Sequence, residues 1–274
     1  ITKPNTFHVC YCLTPTRYLW SHTELYKSQT SPLFNPLFNY LKSWDLVASR
    51  RPDSYIAISK TVQNRIKTYY DLESQVVYPP VDVDTFSQPS TINSQLSTKN
   101  FFLYVGRLVA YKQVQLLVET FNDLKLPLVI IGTGHLEGKL KPMAAPNIQF
   151  LGQVPEADLA AYYQHARALV FFHEEDFGIV PVEAMAAGTP VIGLNSEGVS
   201  ETVIHNITGH LLDPSQDSLK NAILNFDPAQ FDREFIKSHA QKFAKDRFKR
   251  EFKQTLVRSY SGWRRRHPSL APLP

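Results

Sequence analysis

Short runs of β-branched and aromatic residues recur along this chain, and most pairs of runs are separated by just enough residues for one helix. The runs are Phe7 to Leu13, Ser54 to Ser59, Gln75 to Tyr78, Phe101 to Val105, Leu128 to Gly132, Ile148 to Gly152, Ala168 to Phe172 and Pro190 to Leu194. Helical periodicity fills intervals between them: Val114, Leu117, Val118, Phe121 and Leu124 share one face, as do Leu159, Tyr162, Tyr163 and Ala166. Such alternation predicts an α/β chain with a parallel, doubly wound sheet covered by helices on both sides. Ligands of that architecture bind at the carboxyl ends of the strands, so the loops that follow the runs are where chemistry is expected.

With 274 residues the chain has room for two modest cores. Residues 79–100 hold Pro79-Pro80, Asp82-Val83-Asp84 and a Ser/Gln/Thr/Asn-rich stretch, the composition of a linker. The expected division is therefore a first Rossmann-like domain over 1–90, a second over 91–245, and a C-terminal helix with a basic tail over 246–274 that crosses back to the first. About three strands fall in the first part, fewer than a full doubly wound sheet uses, so the first domain is expected to be a truncated one.

Hydrophobic residues make up 43% and charged residues 20%, the balance of a globular protein. No apolar run of membrane-spanning length and no leader peptide is visible, from which a cytoplasmic location is expected. Cys10 and Cys12 lie two apart on one strand, where they share a face and are expected to be buried thiols rather than a disulfide. The net charge of +4 does not argue for a nucleic-acid partner, but its distribution is uneven. Lys242, Lys245, Arg247, Lys249, Arg250, Lys253, Arg258 and Arg264 to Arg266 interleave with Phe243, Phe248, Phe252, Tyr260 and Trp263. That pattern fits either peripheral contact with an anionic membrane or a packed helix with a solvated basic face, the second being the commoner outcome.

The strongest local signal runs from Phe172 to Pro190. A buried strand delivers two acids to a loop, a glycine follows, and a helix is expected from near Ile179 to a glycine cap at Gly188. Amides at that helix start, from Gly178 to Val180, make an anion site suited to a diphosphate. Glu175 before the helix and Glu183 one turn inside it can accept paired hydrogen bonds from the vicinal hydroxyls of a sugar or ribose; acids near a helix start also simply complement its dipole. In Tyr104-Val105-Gly106-Arg107-Leu108-Val109-Ala110-Tyr111-Lys112, Gly106 permits a tight turn, and Arg107 and Lys112 offer two cations at the same sheet edge. Gly132-Thr133-Gly134 ends another strand and permits close backbone approach to a ligand, although a lone Gly-x-Gly also makes ordinary turns. Asn195 to Thr202 is again a strand end and helix start, with Ser200 as the N-cap candidate.

Taken in order, Gly106-Arg107-Leu108 with Lys112, Gly132-Thr133-Gly134, Phe150-Leu151-Gly152, Glu175-Asp176-Phe177-Gly178 through Glu183, Gly188-Thr189-Pro190-Val191-Ile192 and Gly198 to Val203 resemble the family-4 retaining glycosyltransferases, which have two facing Rossmann-like domains. The resemblance implies that Arg107 and Lys112 hold the donor diphosphate, that Glu175 contacts the transferred sugar and Glu183 the ribose. It also implies that backbone groups of Phe177, Gly178, Ile179 and Val180 touch sugar and phosphate, and that Val154 lies by the base. No metal or other cofactor is implied, since helix amides and the Arg/Lys pair take up the leaving diphosphate's charge; Asp82-Val83-Asp84 is read as structural. Tyr11 to Trp20 and Tyr78 to Asp84 further resemble bacterial mannosyltransferases of O-antigen and related surface polysaccharides, which implies GDP-mannose as donor and a saccharide or lipid-linked oligosaccharide as acceptor. Thr14 and Arg17 would lie on the sugar or acceptor side. Where many relatives carry His-Thr-Pro this chain has Leu13-Thr14-Pro15, so the histidine's contact passes to Arg17, His22 or another group, or activity is weakened.

Two other classes compete with a transferase. Epimerases and phosphorylases share the two-domain plan, but acid/base residues in both domains, or a lysine signature for a pyridoxal cofactor, are not recognisable. A non-catalytic or weakly active nucleotide-sugar-binding fragment would bind donor without turning it over.

Overall fold

The computed structural model describes residues 5–21, 23–28, 31–88 and 100–268. The chain divides into two compact units, Ile1–Pro79 with Phe248–Pro274, and Pro80–Arg247.

In the first unit β1 (Val9–Cys12), β2 (Ser54–Ala57) and β3 (Ser74–Val76) form a parallel sheet in the order β1-β2-β3. Helices α1 (Thr23–Ser28), α2 (Asn35–Ser49) and α3 (Lys60–Tyr70) connect them. Helix α3 starts at a serine N-cap: Ser59 is extended and its hydroxyl accepts from the Val62 amide at 3.0 Å. It stops where Asp71 turns left-handed, at φ 49°. Cys10 and Cys12 form no disulfide; Cys12 is buried in the sheet as expected, whereas Cys10 is only half-buried.

The C-terminal helix, Lys245–Arg266, spends its aromatic side on this unit. Phe248 and Phe252 stack on each other and meet the Tyr11 ring at 5.8 and 5.5 Å, while Tyr260 and Trp263 meet Phe7 at 5.7 and 5.6 Å. Lys249, Arg250, Lys253 and Arg258 stay exposed on the helix. The aromatic stripe thus packs on this unit, Trp263 buried and Phe248, Phe252 and Tyr260 half-buried, while the basic side faces outward.

The second unit runs α4 (Val83–Ser87), β4 (Phe102–Val105), α5 (Val114–Leu124), β5 (Leu128–Ile131), α6 (Glu137–Met143), β6 (Ile148–Gly152), α7 (Glu156–His165), β7 (Leu169–Phe171), α8 (Ile179–Ala186), β8 (Val191–Leu194), α9 (Glu197–Thr202), β9 (Gly209–Leu212), α10 (Gln216–Leu224) and α11 (Arg233–Ala240). Its six parallel strands lie in the order β6-β5-β4-β7-β8-β9. The α/β architecture with parallel sheets is as expected, and each predicted run supplies a strand. Strand β9 was not foreseen: it is an edge strand whose Gly209-His210-Leu211-Leu212 is mostly half-buried, so it carries little hydrophobic signal. Part of the expected linker is also ordered, since α4 sends Phe86 edge-on to Tyr163, ring centres 5.5 Å apart.

Helix α5 buries Val114, Leu117, Val118 and Phe121 as its period requires. Helix α7 departs from its pattern: Ala160, Ala161 and Tyr163 are buried, whereas Leu159 and Tyr162 are only half-buried. The alanines let the helix approach its neighbours closely, and the bulkier residues slide to the flank.

Candidate active site

Strands β4 and β7 are sheet neighbours, but the chain winds outward from them in opposite directions, so the topological switch point lies between them. Two loops flank it, one from Gly106 to Gln113 after β4 and one from Phe172 to Gly178 after β7. They bring together Lys112 and Glu175, as the sequence led us to expect, and add His173, which it did not.

The Lys112 Nζ donates to Glu175 Oε2 at 3.0 Å and lies 3.2 Å from His173 Nε2. His173 is fully buried, its Nε2 is 3.6 Å from the same carboxylate oxygen, and its Nδ1 has no hydrogen-bond partner. Burial and the adjacent ammonium hold His173 below its ordinary pKa, against the pull of the Glu175 carboxylate. For Glu175, burial pushes upward, but the His173 ring and the Lys112 ammonium outweigh it and hold the carboxyl at about 2. A fixed cation and a fixed carboxylate therefore sit side by side, 10% and 24% exposed, at the mouth of the switch point. Arg107 is exposed and donates to the Tyr111 hydroxyl at 3.0 Å.

Helix α8 begins as expected. Gly178 has φ 87°, which glycine adopts without strain, and Ile179, exposed, opens the helix. Pro181 in the first turn sacrifices no intrahelical bond. Phe177 is buried against Phe243, ring centres 5.5 Å apart, so its side chain is core and only its backbone can serve a ligand; Val180 is half-buried. The Glu183 carboxylate, also half-buried, accepts from the Tyr163 hydroxyl at 2.9 Å. Burial leaves Glu183 above the usual carboxylate range, with the tyrosine bond pulling the other way.

The glycines between the loops are also required by packing. A Cβ on Gly132 would lie 2.0 Å from the Gly106 carbonyl oxygen, and one on Gly134 would lie 2.3 Å from that of Leu108. The β4 loop is laced across the β5 loop by Gly106 N to Ile131 O and Leu108 N to Thr133 O bonds of 3.0 and 2.9 Å, and Gly132 N donates to Gly152 O at 2.7 Å. A side chain at Gly132 or Gly134 would thus collide with the β4 loop's backbone; Thr133 between them is exposed, and Val154 is half-buried just beyond β6. Gly198 plays the same part under the β7 loop, its amide donating to Glu175 O at 3.0 Å. Ser200 is not the N-cap of α9: Ser196 holds that position, and Ser200 lies inside the helix, its hydroxyl donating to Glu197 O.

Thr14 and Arg17 belong to the first unit. The Thr14 hydroxyl accepts from Arg65 at 3.2 Å, Arg17 is half-buried in the turn after β1, and Leu13 is 62% exposed. His22 lies outside the described residues. The anchor of this segment is Asp45, which accepts from Thr16, Trp20 and Tyr70 at 3.1, 2.7 and 2.7 Å. An aspartate on an amphipathic helix carries no sequence signal for that role. Asp82 is paired with Lys245, and among the described residues no cluster of three or more His, Cys, Asp or Glu is placed to hold a metal ion.

The model of the glycosyl transferases group 1 family matches residues 88–242, more than half of the chain. The chain belongs to that family. Among curated relatives of this family member, D-rhamnosyltransferase WbpZ of Pseudomonas aeruginosa is 31% identical over 67% of the chain and 50% of the relative. The O-antigen chain mannosyltransferase C of Escherichia coli is 30% identical over 67% and 53%. The chain thus spans about half the length of the curated relatives it matches. Among solved structures, sucrose-phosphate synthase of Thermosynechococcus elongatus superposes with a TM-score of 0.75 at 22% identity, covering 93% of this chain and 68% of that one. That likeness supports the fold alone: α/β, with two Rossmann-like parallel sheets.

Proposed function

We propose that the protein is the donor-binding part of a retaining glycosyltransferase that moves mannose from GDP-mannose to a saccharide or lipid-linked acceptor. The observation that carries this reading is the Lys112–Glu175 pair at the switch point, beside the open amide end of α8. Lys112, with Arg107 nearby in the same loop, and the amides from Gly178 to Val180 suit a diphosphate; such groups in a partly dry site can stabilise a leaving phosphate as its charge develops. Glu175, ionised at any working pH, suits the hydroxyls of the transferred sugar. Glu183 suits the ribose. The mannose assignment rests on the resemblance of residues 11–20 and 78–84 and on the mannosyltransferase named among the relatives. No metal is required in this scheme, because protein cations and helix amides take up the charge that a metal would neutralise; undiminished turnover in EDTA is the expected result. The chain would work at the inner face of a membrane, its basic C-terminal helix against anionic lipid.

Calorimetric titration with GDP-mannose, UDP-glucose and UDP-N-acetylglucosamine tests the site. Micromolar binding of GDP-mannose, weakened by Glu183→Ala and by Arg107→Ala, is expected. Binding of donor with no turnover or hydrolysis would instead establish a non-catalytic binding fragment. Salt-insensitive failure to bind phosphatidylglycerol vesicles would sink the membrane contact.

A further inference from the structure

We infer that Tyr163 is a positioning residue for donor binding, holding the Glu183 carboxylate by one oxygen so that the other can meet the nucleotide's ribose hydroxyls. The inference rests on the donor-site reading of Glu183.

Tyr163 is the third-to-last residue of α7 and is wholly buried. Its position is determined from three sides. The Phe86 ring stands edge-on to it at 5.5 Å, the Thr189 hydroxyl donates to its carbonyl oxygen, and the Ala166 amide donates to the same oxygen at 3.3 Å. Thr189 comes from the Gly188-Thr189-Pro190 stretch that ends α8, so the two helices are tied at that point. A phenylalanine would fill the same space against Phe86. The hydroxyl's hydrogen bond is to Glu183 Oε2, at 2.9 Å. A buried hydroxyl must find a partner, and this one finds the carboxylate that the sequence marks for ribose.

The bond does two things. It selects one rotamer of a flexible glutamate before the ligand arrives, which lowers the ordering loss on binding. It also favours the ionised carboxylate in a place where burial opposes ionisation and where the charge of Glu156, also on α7, opposes it further. Without the phenol, Glu183 would protonate at higher pH and present a hydroxyl where an acceptor is needed.

The test is isothermal titration of the wild-type protein and Tyr163→Phe with GDP and UDP, and with the 2′,3′-dideoxy form of whichever binds. Tyr163→Phe is expected to weaken the ribonucleotide about tenfold and to leave the dideoxynucleotide unchanged, so that the wild type's preference for the ribose diol disappears. The loss should shrink as pH is raised, as the carboxyl ionises again. In a Glu183→Gln background the tyrosine substitution should add nothing further. Equal affinities for wild type and Tyr163→Phe would overturn the proposal, as would equal weakening of both nucleotides, which would mark a packing defect. A wild-type protein that binds neither nucleotide would remove the donor-site reading and this proposal with it.

Discussion

Among single residues, Glu175 makes the sharpest pH prediction. Its folded pKa, about 2, is below the ordinary 4.5, so its pairing stabilises the fold fully above about pH 4.5, and the contribution is lost as pH falls toward 2. Glu175→Gln should therefore lower the melting temperature at pH 7, with the gap from wild type closing below pH 4.5; a gap independent of pH would mean the Lys112 pair contributes nothing. Glycines give a contrast that needs no ligand. Gly132→Ala must push a Cβ to within 2.0 Å of the Gly106 carbonyl oxygen, whereas at Gly138, inside α6, nothing lies within 4 Å. The first should lose more than about 2 kcal/mol in urea unfolding. The second should gain about 0.5–1 kcal/mol, because alanine gives up less backbone freedom in a helix.

Elements show which half of an amphipathic pattern is structural. On the C-terminal helix, Phe252→Ala removes a ring packed on Tyr11 and Phe248 and should destabilise by roughly 3 kcal/mol. Arg250→Glu with Lys253→Glu should leave the unfolding midpoint nearly unchanged, since both side chains are exposed, while abolishing any binding to anionic vesicles. Vesicle binding that survives the charge reversal would show that the basic side is not the contact. At the start of α3, Ser59→Ala removes a cap and leaves the Val62 amide unsatisfied in a buried place, at a loss of about 1 kcal/mol by denaturant titration.

On the scale of the whole molecule, a nucleotide that binds only the folded state stabilises it by mass action. At a hundred times its dissociation constant the gain is about 2.7 kcal/mol. Amide exchange in saturating GDP should slow at the loops of residues 106–113 and 172–178 and across α8, all in the second unit, and leave α2 in the first unit untouched. Protection that spread evenly over both units, or that spared α8, would place the nucleotide elsewhere.

The sequence by itself determined the alternation of strands and helices, because buried parallel strands need unbroken apolar runs and surface helices need a 3.6-residue stripe. It also marked the Lys112 and Glu175 loops and the glycine entry to α8, since sharp turns and open helix ends demand particular residues. Edge strand β9 escaped notice because it is buried too little to require a strong pattern. What only the tertiary structure decided is who meets whom. His173 carried no signal of its own until the β4 loop laid Lys112 against it. Tyr163 read as core until α7 and α8 packed with its hydroxyl against Glu183. That Gly132 and Gly134 make room for the backbone of another loop was likewise not legible before the β4 and β5 loops met. Residues 20 to 61 apart in sequence have no local physics in common; the meeting of Lys112 with His173 follows from strand order, which placed β7 rather than β5 or β6 on the other side of β4.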